Sequence, residues 1–239
     1  AGNRGIEKGG AIYKSDTSSP IMLNTVFSGN SANRGGALYD FGEFSAPIIM
    51  SSTFVSNSAT QLGGGLFIDE FSRLFTITNS LFAHNTDTNG NNANESAQIS
   101  FSTSRPPVVS YSFIQGLDSL KGIGNVSGDP YLVDPDGADD IRGTDDDGVA
   151  IGPGSPCIDA GNNSNLPRNT ILDFAGNDRF VDDLATQDTG IGDAPIVDMG
   201  AYEFQGTPVP ALSGAGLAVM LGLFLILGIL VIRRFQPPE

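Results

Sequence analysis

A short phrase recurs three times between residues 9 and 85, and it limits what this chain can fold into more than any other feature. Its first half reads GGAIY at Gly9–Tyr13, GGALY at Gly35–Tyr39 and GGGLF at Gly63–Phe67. Its second half reads FSGN at Phe27–Asn30, FVSN at Phe54–Asn57 and FAHN at Phe82–Asn85. The first half returns after 26 and then 28 residues, the second after 27 and then 28. Two unrelated half-phrases that keep one period mark a stack of similar units. Each period holds short apolar, β-branched or aromatic runs, such as Ile21–Phe27, Ile48–Val55 and Leu74–Phe82, separated by Gly, Asn, Ser and Asp. These runs are too short for the paired helices of a helical repeat, and none has a 3.6-residue period. Strands bounded by turns fit them. The pattern predicts an all-β solenoid, a single-stranded parallel β-helix whose coils stack at the strand spacing. Phe27, Phe54 and Phe82 then form one column, and Tyr13, Tyr39 and Phe67 another. Asn30, Asn57 and Asn85 form an amide ladder, each side chain bonding the coils above and below.

The inward face of the strands does not follow from the period. Strict alternation puts Phe75, Ile77, Asn79 and Leu81 on one face, with Met22, Asn24 and Val26, and Ile49, Ser51 and Thr53, at the equivalent places. That register turns the repeated phenylalanines outward unless a bend re-aims them.

GGA(I/L) alternating with FxxN resembles the paired motif of the polymorphic outer-membrane protein repeats, over about residues 1–88. The resemblance implies a right-handed β-helix on a bacterial surface, often adhesive, and names no ligand. The chain begins in mid-repeat at AGNRGIEKGG, which reads as a fragment or processed form with any signal peptide upstream. After a polar insertion at Asp87–Ser96, Ala97–Phe101 and Val108–Phe113 read as strands of a fourth, degenerate coil that completes a β-helix over 1–118.

Residues 119–206 change character. GNVSGDPYLVDPDG, PGSPCIDAGN, DFAGNDRFVDD and PIVDMGAYEF follow in order, and together they resemble the C-terminal part of choice-of-anchor Q domain proteins. The expectation is terminal coils and a cap carrying an acidic loop, with Val197–Phe204 as a last strand over the open sheet end. Residues 207–239 read as a linker, a transmembrane or sorting helix and an Arg-containing tail. Ala211–Ile232 is 22 residues without a charge, followed by Arg233 and Arg234. As a helix it would span about 33 Å, enough for a ~30 Å hydrocarbon core, and the positive-inside rule puts the Arg pair in the cytoplasm. VPALSGAG, from Val209 and Pro210, resembles the IPTL type of tail, a relative of PEP-type sorting signals. That resemblance implies a sorting enzyme as partner. A permanent single-span anchor is the alternative.

Charge narrows the partners. Twenty-seven acidic residues against 12 basic give a net charge of −15, which disfavours nucleic acid and anionic lipid surfaces. Asp134, Asp136, Asp139, Asp140, Asp145, Asp146 and Asp147 crowd one loop around Gly137, a candidate calcium loop without EF-hand spacing. A plain solvated acidic loop is the alternative. Cys157 is the only cysteine, so no internal disulfide is available, and it reads as a buried small apolar residue.

Many parallel β-helices degrade polysaccharides, and hydrolases resembling polygalacturonase carry an NTD motif, an Asp pair, a His-containing loop and an RIK motif. This chain has Asn85-Thr86-Asp87 beside His84, and Asp pairs at Asp139-Asp140 and Asp182-Asp183, but no GHG-like loop and no RxK. Asn85 is already the asparagine of the repeat. Lys8, Lys14, Arg34 and Arg73 could serve a lyase as base, but none falls beside an acidic cluster. Asp159, Asp173, Asp178, Arg179, Asp198 and Glu203 read as turn caps and internal ion pairs. The functional expectation is a non-catalytic structural or adhesive protein of the bacterial surface, with extracellular polysaccharide or a neighbouring cell as partner. The alternative is a carbohydrate-active or glycan-binding β-helix.

Overall fold

Short runs broken by turn residues give short strands. The computed structural model describes residues 1–42, 46–70, 74–88, 94–120 and 122–206. Within them lie β1 (Ile12–Lys14), β2 (Ile21–Leu23), β3 (Val26–Ser28), β4 (Ser31–Arg34), β5 (Leu38–Asp40), β6 (Ile48–Met50), β7 (Thr53–Val55) and β8 (Ser58–Leu62). Then come β9 (Leu66–Ile68), β10 (Thr76–Thr78), β11 (Leu81–Ala83), a single helical turn α1 (Glu95–Gln98), β12 (Ile99–Phe101), β13 (Val108–Ser110) and β14 (Phe113–Ile114). Strands one coil apart pair in parallel, so the chain is a β-solenoid of about three turns. Its first sheet is β1-β5-β9-β12, its second β2-β6-β10-β13 and its third β3-β7-β11-β14, with β4-β8 as a short fourth side. The register follows the repeat: Tyr13 pairs with Tyr39 and Tyr39 with Phe67, while Phe27 pairs with Phe54 and Phe54 with Phe82.

The phenylalanines face inward, not outward as alternation predicts. Phe27 is 6% exposed, and Phe54 and Phe82 are fully buried. Between the second and third sheets each coil places one residue in the left-handed region: Asn24, Ser51, Asn79 and Tyr111, with φ of 48°, 45°, 48° and 47°. That residue turns the corner and breaks the period of two, so the next strand resumes on the opposite parity. A second left-handed column, Gly29, Ser56, His84 and Gly116, makes the following corner. Inside, Phe27–Phe54 and Phe54–Phe82 stack with centroids 4.4 Å apart in each pair. Met22, Leu38, Ile49, Leu66, Ile77 and Ile99 fill the rest of this core.

Polar ladders lock the corners. Asn57 is fully buried and makes four bonds through its amide. Its Oδ1 accepts from the backbone N–H and the side-chain amide of Asn30 (2.9 and 2.8 Å). Its Nδ2 donates to Phe27 O and to Asn85 Oδ1, both at 2.9 Å. Asn3 extends the column at one end, and Gln98 of α1 closes it at the other, its Oε1 accepting from Asn85 Nδ2 at 2.8 Å. A second ladder runs through serines. Ser52, Ser80 and Ser112 each accept the N–H of the residue one coil earlier and each donate to the carbonyl two residues before their own. One ion pair sits inside the first sheet, Lys14 Nζ to Asp40 Oδ1 at 3.0 Å, where the next coil has Ile68.

The last coil is covered by residues 122–127. Val126 N–H donates to Ser112 O, and Ile114 N–H donates to Val126 O, both at 3.0 Å. Asn125 occupies the serine column and accepts from Ser112 N–H. Beyond this the described residues add no coil. They make an antiparallel hairpin, β15 (Leu132–Asp134) with β16 (Gly148–Ile151), and then strap the outside of the third sheet. Val149, Ile151, Cys157, Ile158, Ala160 and Met199 pack against Val55, Leu81, Ala83 and Phe113, so β7 and β11 are buried on both faces. Asn162 and Asn79 exchange two hydrogen bonds, Gly200 N–H donates to Asn79 O, and Ala201 N–H donates to Thr53 Oγ1. The expected last strand at Val197–Phe204 is therefore corrected to an irregular strap. Its backbone bonds the solenoid corners and its own turns, not a sheet end.

The expected fold class also included a transmembrane helix, and this is corrected too. Among the described residues no helix is long and apolar enough to cross a membrane, and α1 is four residues long. The apolar runs among the described residues are strands of two to five residues. Ala211–Ile232 and the flanking Val209, Pro210, Arg233 and Arg234 lie outside the described residues, as does Arg73.

Four substitutions test the ladder and the corner. Asn57→Ala removes four bonds from a dry site and should cost about 2–4 kcal/mol in urea unfolding, whereas Asn3→Ala at the column's end should cost under about 1 kcal/mol. Equal costs would show that the column carries no cooperative load. Ser56→Gly, in a conformation that disfavours a Cβ, should be neutral or stabilising by up to about 1 kcal/mol, and Ser56→Val clearly destabilising.

Candidate functional site

The charged residues of the strap converge although they come from three separate phrases. Arg179 is fully buried. Its Nη2 donates to Gly200 O at 2.6 Å, and its Nε lies 3.7 Å from Glu203 Oε2. Glu203 accepts from Asp198 N–H and Val181 N–H, and Asp198 accepts from Asp159 N–H (2.7 Å) and Phe204 N–H (2.6 Å). Asp173 accepts from Asn177 N–H and from Glu203 N–H. Burial pushes the Asp198 and Glu203 carboxyls above the ordinary carboxylate range, against the pull of Arg179, and burial lowers Arg179. One guanidinium thus organises three acids that cap backbone N–H groups. The arrangement folds a segment poor in regular structure, as buried charges do when paired and hydrogen-bonded.

Beside this knot lies the one group of three acids, among the described residues, whose carboxylates could share an ion. Asp159, Asp182 and Asp188 have one oxygen each within 4.8 Å of one another. Asp159 is fully buried, and Asp182 and Asp188 are exposed. Asp159 Oδ2 accepts from Asp183 N–H at 3.3 Å, while its buried Oδ1 has no hydrogen-bond partner. Burial, followed by the neighbouring Asp188, Asp182 and Asp183 charges, pushes its carboxyl up to about 6. Asp159 takes a left-handed conformation (φ 51°), and its carbonyl accepts from both Thr189 N–H and Gly190 N–H. The loop between 182 and 188 is pinned from within by Asp183, which accepts from the Thr186 hydroxyl at 2.7 Å. Asp182 and Asp188 are thereby held close to the buried carboxylate.

The acids expected to form a calcium loop do not make such a group. Asp146 accepts from Ala138 N–H, Asp139 N–H and the Thr144 hydroxyl, and Asp147 accepts from Gly143 N–H at 2.6 Å. Asp139 caps Ile141 N–H. Asp134 lies in β15 and pairs with Gly148, and Asp140 takes a left-handed turn conformation. Asp136 and Asp145 lie in the turns of the same hairpin. These carboxylates close a hairpin turn. Asn85, first residue of the apparent NTD motif, is fully buried in the amide ladder, and His84 forms a left-handed corner, half-buried near Arg142. Sequence reasoning read Asp159 as a turn residue and Asp182 as half of an Asp pair, and it did not single out Asp188. No local spacing links 159 to 188; only the shared turn at Asp159 O does.

The raised Asp159 carboxyl sets a pH dependence. Between about pH 4 and pH 6 the folded chain holds a proton at Asp159 that the unfolded chain has lost. Cation-free stability therefore falls as pH rises through that window, and the raised Asp198 and Glu203 carboxyls act in the same direction through it and beyond it. Melting temperature measured in chelator should decline from pH 5 to pH 7, and Asp159→Asn should flatten the decline. A melting temperature that rises over this range would contradict the assignment.

No protein-family model matches the chain, and neither the curated proteins nor the solved structures contain a match to it.

Proposed function

We propose that this protein is a non-catalytic structural or adhesive element of a bacterial surface, its solenoid presenting a binding face. The observation that carries the reading is how the repeated residues are used. Asn85, which would open an NTD catalytic motif, has its amide engaged by Asn57, Phe54 O and Gln98 in a dry column. The repeat builds rigidity, and the strap adds a second core on one side of it. A chain of net charge −15 is also suited to staying solvated and unaggregated outside the cell.

A second observation gives the adhesive reading a surface. Outside the first sheet, Tyr13, Tyr39 and Phe67 stack with centroids 5.6 and 5.3 Å apart. Lys8 Nζ lies 4.6 Å from the centre of the Tyr39 ring, and the Arg34 guanidinium lies 5.6 Å from that of Phe67. Two adjoining hollows share Glu7 and Lys8, one reaching Tyr13 and the other Arg34 and Gln61. Tyr13 is 49% exposed. Tyr39 and Phe67 are buried, so the exposed part of this surface is Tyr13 with Lys8 beside it in the same hollow. That pair suits a sugar face bearing a carboxylate or sulfate, because the ring supplies an apolar platform and the ammonium meets the acid.

The test is a screen against acidic and neutral polysaccharides that scores binding and product release separately. Expected is binding to acidic chains without release of shorter products, weakened about tenfold by Tyr13→Ala or Lys8→Ala, about 1.4 kcal/mol each. Product release abolished by replacing a single acid would overturn the non-catalytic reading in favour of a carbohydrate-active enzyme.

A further inference from the structure

We infer that Asp159, Asp182 and Asp188 form a calcium site that clasps the loop at 182–188 onto the strap. The warrant begins with Asp159 Oδ1. It is a buried carboxylate oxygen with no hydrogen-bond partner, in a residue with no exposed surface, and its group faces two further carboxylates. An unpaired oxygen in such a place is costly unless a cation or proton meets it. The Asp183 N–H takes only the other oxygen of the same carboxylate.

Geometry and donor type select the ion. Oxygens within 4.8 Å of one another can share one ion at calcium–oxygen distances of 2.3–2.6 Å, because two such bonds span about that length. The donors are all carboxylates, without His or Cys, which favours a hard cation over zinc or copper. Asp182 and Asp188 are open to solvent, so water can complete a shell of six to eight. Magnesium demands a tighter and more regular octahedron than one buried and two loop carboxylates provide.

The backbone is arranged for this task before any ion arrives. Thr189 N–H and Gly190 N–H both close onto Asp159 O, at 2.9 and 3.0 Å. A Cβ at Gly190 would lie 2.0 Å from Gly161 O, so the close approach needs glycine there. The same segment reaches the solenoid through Asn162, bonded to Asn79. An ion here therefore ties the exposed loop, whose tip Leu184 is 93% exposed, to the covered face of the solenoid. At neutral pH the clasp turns a repulsive acid group into a cross-link.

The test uses the full chain and calcium itself. Calcium at about 10 mM should raise the melting temperature by at least about 3 °C over chelator, with a dissociation constant of order 10⁻⁴ M, and should slow proteolysis near Leu184 several-fold. Magnesium should do markedly less. Asp159→Asn should abolish the calcium shift while leaving the chelator-treated protein at least as stable as the parent at pH 7. Asp188→Asn, a solvent-exposed change that leaves the fold intact, should weaken the calcium response about tenfold or more. Asp146→Asn in the hairpin should leave the response unchanged. No calcium shift in the parent, an equal shift in parent and Asp159→Asn, or a shift lost in Asp146→Asn instead would each overturn the proposal.

Discussion

The structure depends on carrying hydrogen bonds from coil to coil where the backbone turns a corner and cannot pair with its neighbour through a regular ladder. Peptide groups buried at such corners must find partners. The asparagine column supplies them. Asn57 takes the N–H of Asn30 and gives its own hydrogens to Phe27 O and to Asn85, and Asn85 in turn donates to Phe54 O and Gln98. The serine column repeats the device one corner earlier, with a hydroxyl in place of an amide. With the corners satisfied, strands as short as three residues are enough, because the inner strands of the three main sheets are held from both sides and the aromatic stack fills the interior.

The strap solves a different problem. A solenoid leaves its outer faces open, and the third sheet presents Val55, Leu81 and Phe113 outward. Residues 148–204 cover that face with a second apolar layer, yet they contain little regular structure of their own. Their order comes from the ionic knot. Arg179 gathers Glu203 and Asp198, and those carboxylates cap backbone N–H groups that no sheet serves. Asp159 belongs to both parts, giving its N–H to Asp198 and its carboxylate to the outer acid group. That double membership links the folding of the strap to the ionic state of its surface.

How much of this was legible in the sequence divides along the same line. The solenoid could be read because its contacts repeat at one interval, so Phe27, Phe54 and Phe82 announce their column without a partner residue being known. The inward register could not, because a single left-handed residue such as Ser51 or Asn79 resets the parity of a strand, and neither is a glycine that would mark the place. Gln98 closing the asparagine column was also hidden, since it arrives after an insertion and with a longer side chain. In the strap nothing repeats. Cys157 reads correctly as buried from its type alone, but the meeting of Asp159 with Asp188 rests on a turn 30 residues long in sequence and a few ångströms across in space. The dense acidic run at 134–147 drew the eye because its charges are adjacent, and adjacency is what lets them cap their own hairpin.

Native-state hydrogen exchange, residue by residue, tests most directly whether the side-chain columns hold the coils together. The backbone N–H groups of Asn30 and Asn57 donate to side-chain oxygens of the following coil, not to a strand. If the columns are the structural bond between coils, these two amides exchange only through global unfolding, with protection equal to that of Phe54 and Phe82 at the centre of the third sheet. Exchange at Asn30 and Asn57 as fast as in the exposed hairpin turn around Asp139 would contradict the account and leave the sheets alone to carry the fold.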